Sequence, residues 1–400
     1  MYVTGYVWAY AEVLPVRHNF IVRARDSATG MWLLVALLAL LQGMCPASWA
    51  QIAVNPVTNK IYAGNETLPY VNVIDGATHE LTNIDIGGTP GPIVVNPVTN
   101  KIYVGFLATI RGNSTVVVID GATNQVTKLA VPASPYALAV NTVTNKVYVA
   151  DFYGGKVTII DGFTNQTVSV QVGLNPVSVT VNPETNKIYV GNWNSAEATI
   201  IDGATNASTK VAIAGKSEGH SIAVNTATNK VYIGSYAQSK RISVVDGLTN
   251  QTTAVPTSGY VFGVGVNSVT NKIYVANAYI GKVSIIDGAT GHVTTIGVGR
   301  FPTSIAVNPA TNKIYVANSD ACGGIAVIDG RTEEVTRIKA GIELATVAVN
   351  SATNQIYAYD PESLTVIDGA TNKPTSLLLP IPPKMPRYTI SSTCRWSTPD

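Results

Sequence analysis

His220 and Glu218 are the two residues of this sequence whose types and spacing could carry out acid/base chemistry. A carboxylate and an imidazole held close together can transfer protons to and from a reacting group. A histidine that is solvated, or buried with its nitrogen atoms satisfied, is more common than a catalytic one. We therefore assign no catalytic residue and keep the pair as a candidate for the active site of a hydrolase, lactonase or lyase.

Other signatures of catalysis and of metal binding are missing from the sequence. No His/Cys cluster has the spacing of metal ligands, no serine nucleophile motif occurs, and no glycine-rich loop precedes a helix. We predict no metal ligands and no cofactor. A structural calcium ion held by acidic and Asn side chains remains an open alternative, although no motif in the sequence supports it.

A second group of residues could bind a ligand, mainly through the faces of aromatic rings. Its members are Phe152, Tyr153, Trp193, Tyr236, Tyr260, Tyr279, Arg300 and Phe301. Aromatic residues beside scattered Asn, Arg and Asp suit a surface for a sugar or a peptide. The alternative is that these rings fill the gaps between neighbouring structural units.

The elements that must position these residues are eight copies of one short unit. A tyrosine in a KIYV-like segment recurs about every 42 residues, at Tyr62, Tyr103, Tyr148, Tyr189, Tyr232, Tyr274, Tyr315 and Tyr357. An Asp-Gly pair marks each copy a second time, at Asp75, Asp120, Asp161, Asp202, Asp246, Asp287, Asp329 and Asp368. A group needed once for catalysis should not recur eight times. We therefore predict structural roles for these aspartates and for the lysine two residues before each tyrosine, which only the last copy replaces, with Gln355.

Each unit predicts four short β-strands. In one copy these are Ser304 to Asn308, Lys313 to Asn318, Ile325 to Gly330 and Glu334 to Ile338. Asn-x-x-Thr-Asn follows the first strand and Asp-Gly-x-Thr follows the third, and both patterns predict tight hairpins. Such four-stranded meanders bury their faces by stacking around an axis, which predicts an all-β propeller of eight antiparallel blades. Seven blades and a linear β-solenoid are the alternatives.

Segments such as KIYVAN with VIDGAT, preceded by AVNP-T-NK, resemble the YVTN-type β-propeller repeat. The resemblance extends from Gln51 to about Leu379. It implies a propeller in a secreted or cell-surface protein of a family found in surface layers and adhesive contexts.

The predicted connections separate two ends of every blade. Both repeated hairpins lie at one end, because the first-to-second and third-to-fourth turns of a meander share one edge. The opposite end carries the second-to-third loops and the connections between blades, which differ from copy to copy and contain the candidate ligand-binding residues. Variable loops on a rigid framework are the usual place for binding sites.

Charge and the two ends of the chain set the remaining expectations. Charged residues make up 12% of the chain and the net charge is +2 without a basic stripe, which argues against nucleic-acid binding.

The apolar run from Met31 to Ala50 predicts a secretory signal cut before Gln51, with a transmembrane helix as the alternative. The predicted organisation is therefore a leader over 1–50, a propeller over 51–379 and a Pro-rich irregular tail over 380–400. Cys322 and Cys394 could pair in an exported protein or remain isolated thiols.

These observations lead to a leading functional hypothesis and two others. The leading one is an exported, non-enzymatic scaffold, periplasmic, secreted or at the cell surface, whose variable loops bind an extracellular glycan, a peptide or another surface protein. It predicts no stable membrane span after signal cleavage. The second is the hydrolase, lactonase or lyase that uses His220 and Glu218. The third is a purely structural module of a surface assembly.

Overall fold

The computed structural model describes residues 52–64, 68–106, 115–131, 134–218, 221–235, 240–319, 323–341, 344–360 and 363–379, together with 15–16 and 19–20; at 194 and 215–218 it describes the backbone alone. The chain divides into two compact units, Met1–Ala47 and Ser48–Asp400. In the first unit, β1 (Pro15–Val16) pairs antiparallel with β2 (Asn19–Phe20). The predicted signal segment and the tail over 380–400 lie outside the described residues.

The second unit consists of β-strands grouped into eight sheets, which we number as blades 1 to 8. Blades 1 and 2 comprise β3 (Ile52–Asn55), β4 (Lys60–Gly64), β5 (Tyr70–Asp75) and β6 (Leu81–Asp85), then β7 (Pro90–Asn96), β8 (Lys101–Phe106), β9 (Thr115–Asp120) and β10 (Val126–Ala130). Blades 3 and 4 comprise β11 (Pro135–Asn141), β12 (Lys146–Asp151), β13 (Lys156–Asp161) and β14 (Thr167–Gln171), then β15 (Pro176–Asn182), β16 (Lys187–Asp202) and β17 (Ser208–Glu218).

Blades 5 and 6 comprise β18 (Ile222–Asn225), β19 (Lys230–Gly234), β20 (Arg241–Asp246) and β21 (Thr252–Pro256), then β22 (Tyr260–Asn267), β23 (Lys272–Ala278), β24 (Lys282–Asp287) and β25 (Val293–Gly297). Blades 7 and 8 comprise β26 (Pro302–Asn308), β27 (Lys313–Asn318), β28 (Ile325–Asp329) and β29 (Val335–Ile338), then β30 (Thr346–Asn350), β31 (Gln355–Asp360), β32 (Ser363–Asp368) and β33 (Pro374–Leu378). In blade 4 the second and third strand positions are two arms of the single 16-residue strand β16.

The blades form a closed ring. The first strands of adjacent blades lie side by side in the order β3, β7, β11, β15, β18, β22, β26 and β30, and β30 lies beside β3. The Tyr359 hydroxyl of blade 8 donates to the carbonyl oxygen of Gly64 in blade 1 at 2.6 Å. The predicted all-β propeller of eight antiparallel four-stranded blades is therefore confirmed, and the seven-bladed and solenoid alternatives are wrong.

The hydrophobic core is divided among the interfaces between neighbouring blades. At the interface of blades 3 and 4, for example, Tyr148, Val157 and Ile159 pack against Ile188 and Val190. All eight repeat tyrosines are buried. Burial raises the pKa of Tyr148 to about 12, so this phenol stays neutral in the interface.

Asparagine side chains join each blade to the next at the hairpin end of the ring. The first Asn of each Asn-x-x-Thr-Asn turn is buried, and its Nδ2 donates to the Oδ1 of the second Asn of the following blade. The eight bonds measure 2.8–2.9 Å and run from Asn55 to Asn100, Asn96 to Asn145, Asn141 to Asn186, Asn182 to Asn229, Asn225 to Asn271, Asn267 to Asn312, Asn308 to Asn354 and Asn350 to Asn59. The second Asn of each turn has a φ of 51–54°, a conformation that Asn tolerates better than most residues.

The Asp-Gly turns and the repeat lysines have the predicted structural roles. Asp161 Oδ1 accepts from the backbone amides of Phe163 and Thr164 at 3.0 and 2.9 Å. The Thr164 amide contributes most to lowering the pKa of this carboxyl group. Lys101 Nζ reaches across the blade interface and donates to the Gly162 carbonyl at 2.9 Å, and six other repeat lysines do the same. In the last copy, Gln355 instead accepts from the Tyr357 hydroxyl.

Candidate ligand site on the loop face

We call the end of the propeller with the repeated turns the hairpin face and the opposite end the loop face. The loop face carries the second-to-third strand connections and the connections between blades. Two aromatic clusters lie on it, one at blades 3 and 4 and the other at blades 6 and 7.

The first group, which we call the Phe152 cluster, contains four rings. The Phe152 ring is stacked on Tyr136 with ring centroids 5.1 Å apart and contacts Tyr153 edge-on, also at 5.1 Å. It contacts the tilted ring of Trp193, from blade 4, at 5.6 Å. Phe152 is half-buried, whereas the Tyr153 side chain is 70% exposed. The cluster therefore presents aromatic surface to solvent on a partly buried base.

Asp151 fixes two of the backbone segments that carry this cluster. Its side chain is buried, and its Oδ1 accepts from the Ser134 amide at 2.9 Å and from the Gly154 amide at 3.0 Å. The first bond holds the connection that leads to Tyr136, and the second holds the turn that carries Phe152 and Tyr153. Lys156 Nζ lies 3.9 Å from the other carboxylate oxygen and balances its charge.

Asn175 joins the segment that carries Trp193 to the turn that carries Phe152. Its Nδ2 donates to the Phe152 carbonyl oxygen at 3.0 Å, and its own carbonyl oxygen accepts from the Trp193 amide at 2.8 Å. Asn175 has a φ of 49°, which allows the side chain and carbonyl of one residue to serve both neighbours. The backbones of Phe152 and Trp193 are thus held directly, and those of Tyr136 and Tyr153 are held through bonds to nearby residues.

The second group, which we call the Tyr279 cluster, lies three blades further on and centres on an exposed ring. Tyr279 contacts the rings of Tyr260, Phe262 and Phe301 edge-on, with centroid distances of 5.8, 6.1 and 4.9 Å. The Tyr279 side chain is 54% exposed. The Gly259 amide donates to Asn277 Oδ1 at 3.2 Å, in the manner of the Ser134 bond to Asp151.

Most of the predicted ligand-binding residues fall into these two clusters. Phe152, Tyr153 and Trp193 lie in the first, and Tyr260, Tyr279 and Phe301 lie in the second. Arg300 precedes Phe301 and is exposed. Tyr236 lies outside the described residues.

The relative position of the two side chains of the candidate acid/base pair is not defined. His220 lies outside the described residues and the Glu218 side chain is not described. The backbone of Glu218 pairs with Trp193 at the end of the β16–β17 ladder, which places this position beside the Phe152 cluster.

Sequence reasoning missed Phe262, which lies inside a strand and therefore looks like a core residue. The ladder between β22 and β23 shifts register between Val261 and Gly263, so Phe262 occupies a bulge. Tyr136 occupies the corresponding bulge of blade 3, between Pro135 and Ala137. A bulge re-aims the side chain of its extra residue. The one available signal is the aromatic residue at the same distance before the repeat Asn in both blades.

Two further observations concern metal binding and membrane-spanning helices. Among the residues that the structure describes, no three His, Cys, Asp or Glu side chains are close enough to hold a metal ion. The described residues include no helix with the length and hydropathy needed to cross a membrane.

Comparisons with known proteins give a fold relationship. No protein-family model and no curated protein matches the chain. The chain is similar to the dihydro-heme d1 dehydrogenase NirN in complex with DHE, with a TM-score of 0.67 and 14% identity over 82% of this chain and 74% of that one. It is also similar to hydrazine synthase of Kuenenia stuttgartiensis, with a TM-score of 0.54 and 17% identity over 76% of this chain and 98% of that one. At these identities the similarity establishes the propeller fold alone.

The comparisons correct the leading functional prediction. The sequence led us to expect an exported, non-enzymatic scaffold for a glycan, a peptide or a surface protein, yet both structural neighbours are named as enzymes. That prediction is wrong. It was based on the contrast between near-identical hairpins and variable loops that carry aromatic residues, and this contrast indicates where a ligand could bind without deciding whether the ligand reacts.

Proposed function

We propose that this propeller binds a flat, conjugated organic molecule on its loop face, through the Phe152 cluster. The observation that carries the proposal is the packing of Phe152 against Tyr136, Tyr153 and Trp193 while Tyr153 stays 70% exposed. Burying one more aromatic surface against such rings is favourable through both the area removed from water and the ring geometry.

The hydrogen bonds within the cluster favour a ligand that is recognised by shape. Asp151 Oδ1 and Asn175 Nδ2 already serve the backbone of the site at 2.9–3.0 Å. Because these polar groups are engaged, ring faces supply most of the recognition. A rigid site also loses little side-chain entropy when a ligand binds.

The structural neighbour NirN supports a small organic ligand, because that protein was solved in complex with DHE. The support concerns the shared fold alone, because the two chains are 14% identical. The residues proposed for this chain rest on its own geometry.

Fluorescence titration of the full chain tests the proposal. We expect saturable quenching of tryptophan emission by protoporphyrin IX or by a flavin, and none by cholate, which is of similar size but saturated. Trp193→Phe should remove most of the quenching, because Trp193 contacts Phe152 directly. Tyr153→Ser should weaken binding about tenfold, equivalent to the loss of one stacking contact.

The matched control is Phe163→Ser, since Phe163 is an equally exposed aromatic residue on the hairpin face, at 76%. It should leave the titration unchanged. Binding that is absent for both conjugated compounds, or that Phe163→Ser weakens as much as Tyr153→Ser does, would overturn the proposal.

We also propose that the repeats are of the YVTN type and that Met31 to Ala50 directs export. The KIYVAN, VIDGAT and AVNP-T-NK segments support the first statement, and the apolar run ending in Ser-Trp-Ala supports the second. Amino-terminal sequencing of the mature protein should begin at Gln51. An amino terminus that retains Met31 would contradict the export signal.

A further inference from the structure

We infer that the Tyr279 cluster is a second, separate binding site, and that it selects flat aromatic anions such as aromatic carboxylates, sulfonates or phosphates. This inference does not depend on ligand binding by the Phe152 cluster. It rests on a comparison of equivalent positions in blades 3 and 6.

The two clusters share three equivalent positions. Tyr153 and Tyr279 occupy the same place in the turn after the second strand, and Tyr136 and Phe262 occupy the same bulge. Phe301 stands where the first cluster has Asn175, since each directly precedes the proline that begins the next blade. Both clusters therefore present an exposed tyrosine above half-buried rings.

The clusters differ in charge at two equivalent positions. Asp151, which balances Lys156 in blade 3, is replaced by the neutral Asn277 in blade 6. Lys282, the counterpart of Lys156, is exposed and forms no ion pair among the described residues. Leu174, which is 77% exposed in the first cluster, is replaced by the exposed Arg300. Together these differences make the second site more positive by two charges.

Neighbouring segments add two further cations. Lys240 and Arg241 are exposed at the loop end of blade 5. The Thr257 amide donates to the Lys240 carbonyl oxygen at 2.8 Å, and the backbone of Arg241 pairs with that of Pro256 in the β20–β21 ladder. Lys240 and Arg241 therefore lie beside the segment that leads to Tyr260. The described residues of the loop ends of blades 5 and 6, over 235, 240–241, 256–263, 277–283 and 297–301, include no carboxylate.

Aromatic rings beside uncompensated cations recognise a specific ligand chemistry. The rings favour a flat aromatic body, and the guanidinium and ammonium groups favour an attached anionic group. The same cations repel a positively charged aromatic ligand of the same shape. Charge should therefore decide between two ligands that stack equally well.

A pair of pyrene dyes tests this selectivity on the full chain by fluorescence anisotropy. We expect pyrene sulfonate to bind about three- to tenfold more tightly than pyrenyl trimethylammonium, as expected for one or two exposed charge pairs, and to lose this preference at high salt. Arg300→Leu, which introduces the side chain found at Leu174, should reduce the preference. Tyr279→Ser should weaken the binding of both dyes.

The control variant is Arg331→Leu, which removes an exposed arginine from the hairpin face and changes the net charge equally. It should leave the preference unchanged. Equal binding of the two dyes, or equal effects of Arg300→Leu and Arg331→Leu, would overturn the inference. Tyr153→Ser in the same titration separates the sites: sulfonate binding that it leaves intact belongs to the Tyr279 cluster, and sulfonate binding that it removes contradicts a second site.

Discussion

The hairpin face and the loop face are formed by opposite ends of the same β-strands, yet their polar side chains have different roles. On the hairpin face, Asn–Asn bonds repeat around the whole ring, and each Asp-Gly turn closes on its own backbone amides. On the loop face, the buried Asp151, the half-buried Asn175 and the buried Asn277 have partners that differ from blade to blade, and they hold particular ring-bearing segments. Uniform bonding indicates a role in stability, and individual bonding indicates a role in a site.

This difference shows how one repeat can serve two purposes. Each blade cannot bury its faces alone, so its inter-blade bonds are needed in every copy. The loops are free of that requirement, and blades 3 and 6 carry exposed tyrosines there. Substitutions on the hairpin face should therefore lower stability, and substitutions in the loop-face clusters should lower binding.

The largest effect on stability is expected for Asn141→Ala on the hairpin face. The change removes the 2.9 Å bond to Asn186 and the bonds that Oδ1 accepts from Val143 and Thr144, and it leaves buried polar groups without partners. The free energy of unfolding should fall by about 2–4 kcal/mol, measured by urea denaturation. The control Val143→Ala, at a residue that is 74% exposed in the same turn, should change it by less than about 0.5 kcal/mol. Similar losses for both variants would refute the stabilising role of the Asn–Asn bonds between blades.

A smaller effect on stability, with a clear effect on binding, is expected for Asp151→Ala. This variant loses the acceptor for the Ser134 and Gly154 amides, so the free energy of unfolding should fall by about 1–3 kcal/mol and the ring positions should loosen. Asp151→Asn is the conservative control, because Asn277 accepts the equivalent amide in blade 6. It should retain conjugated-ligand binding in the fluorescence titration. Equal loss of binding in both variants would show that the charge, and not the acceptor, matters.

Acid should act on the hairpin face first. The Thr290 amide contributes most to lowering the pKa of Asp287 from its ordinary value of 3.8, and the other Asp-Gly aspartates behave alike. Since the folded pKa lies below the unfolded one, this stabilisation is present above the unfolded pKa and is lost as the pH falls through the folded pKa. The melting temperature should therefore decline steeply below about pH 4. Asp287→Asn, which cannot titrate, should make that decline shallower; an unchanged slope would contradict this origin.

The smallest effect on stability is expected for Tyr153→Ser. The ring is 70% exposed, so the free energy of unfolding should change by less than about 0.5 kcal/mol while ligand binding weakens. Thermal unfolding beside the fluorescence titration checks both outcomes. A melting temperature lowered by several degrees would favour the other interpretation of these aromatics, in which they fill gaps between blades.

The framework was predictable from the sequence because its constraints are local and repeated. An Asn-x-x-Thr-Asn turn or an Asp-Gly-x-Thr turn specifies its own backbone through hydrogen bonds two and three residues away. Eight copies at one period then leave few ways to bury the strand faces. The structural roles of Asp161 and Lys101, and the separation of the two faces, followed from the same repetition.

The candidate sites could be predicted only in part, because they depend on contacts between residues far apart in the chain. The sequence indicated Phe152, Tyr153 and Trp193 as loop aromatics, but only the tertiary structure placed Trp193 of blade 4 against Phe152 of blade 3. It also identified Asp151 and Asn175 as the residues that hold these segments, and Phe262 as a bulge residue and not a core residue. Ring closure was decided in the same way: the bonds from Tyr359 to Gly64 and from Asn350 to Asn59 join the two ends of the ring, and no local pattern specifies a contact between them.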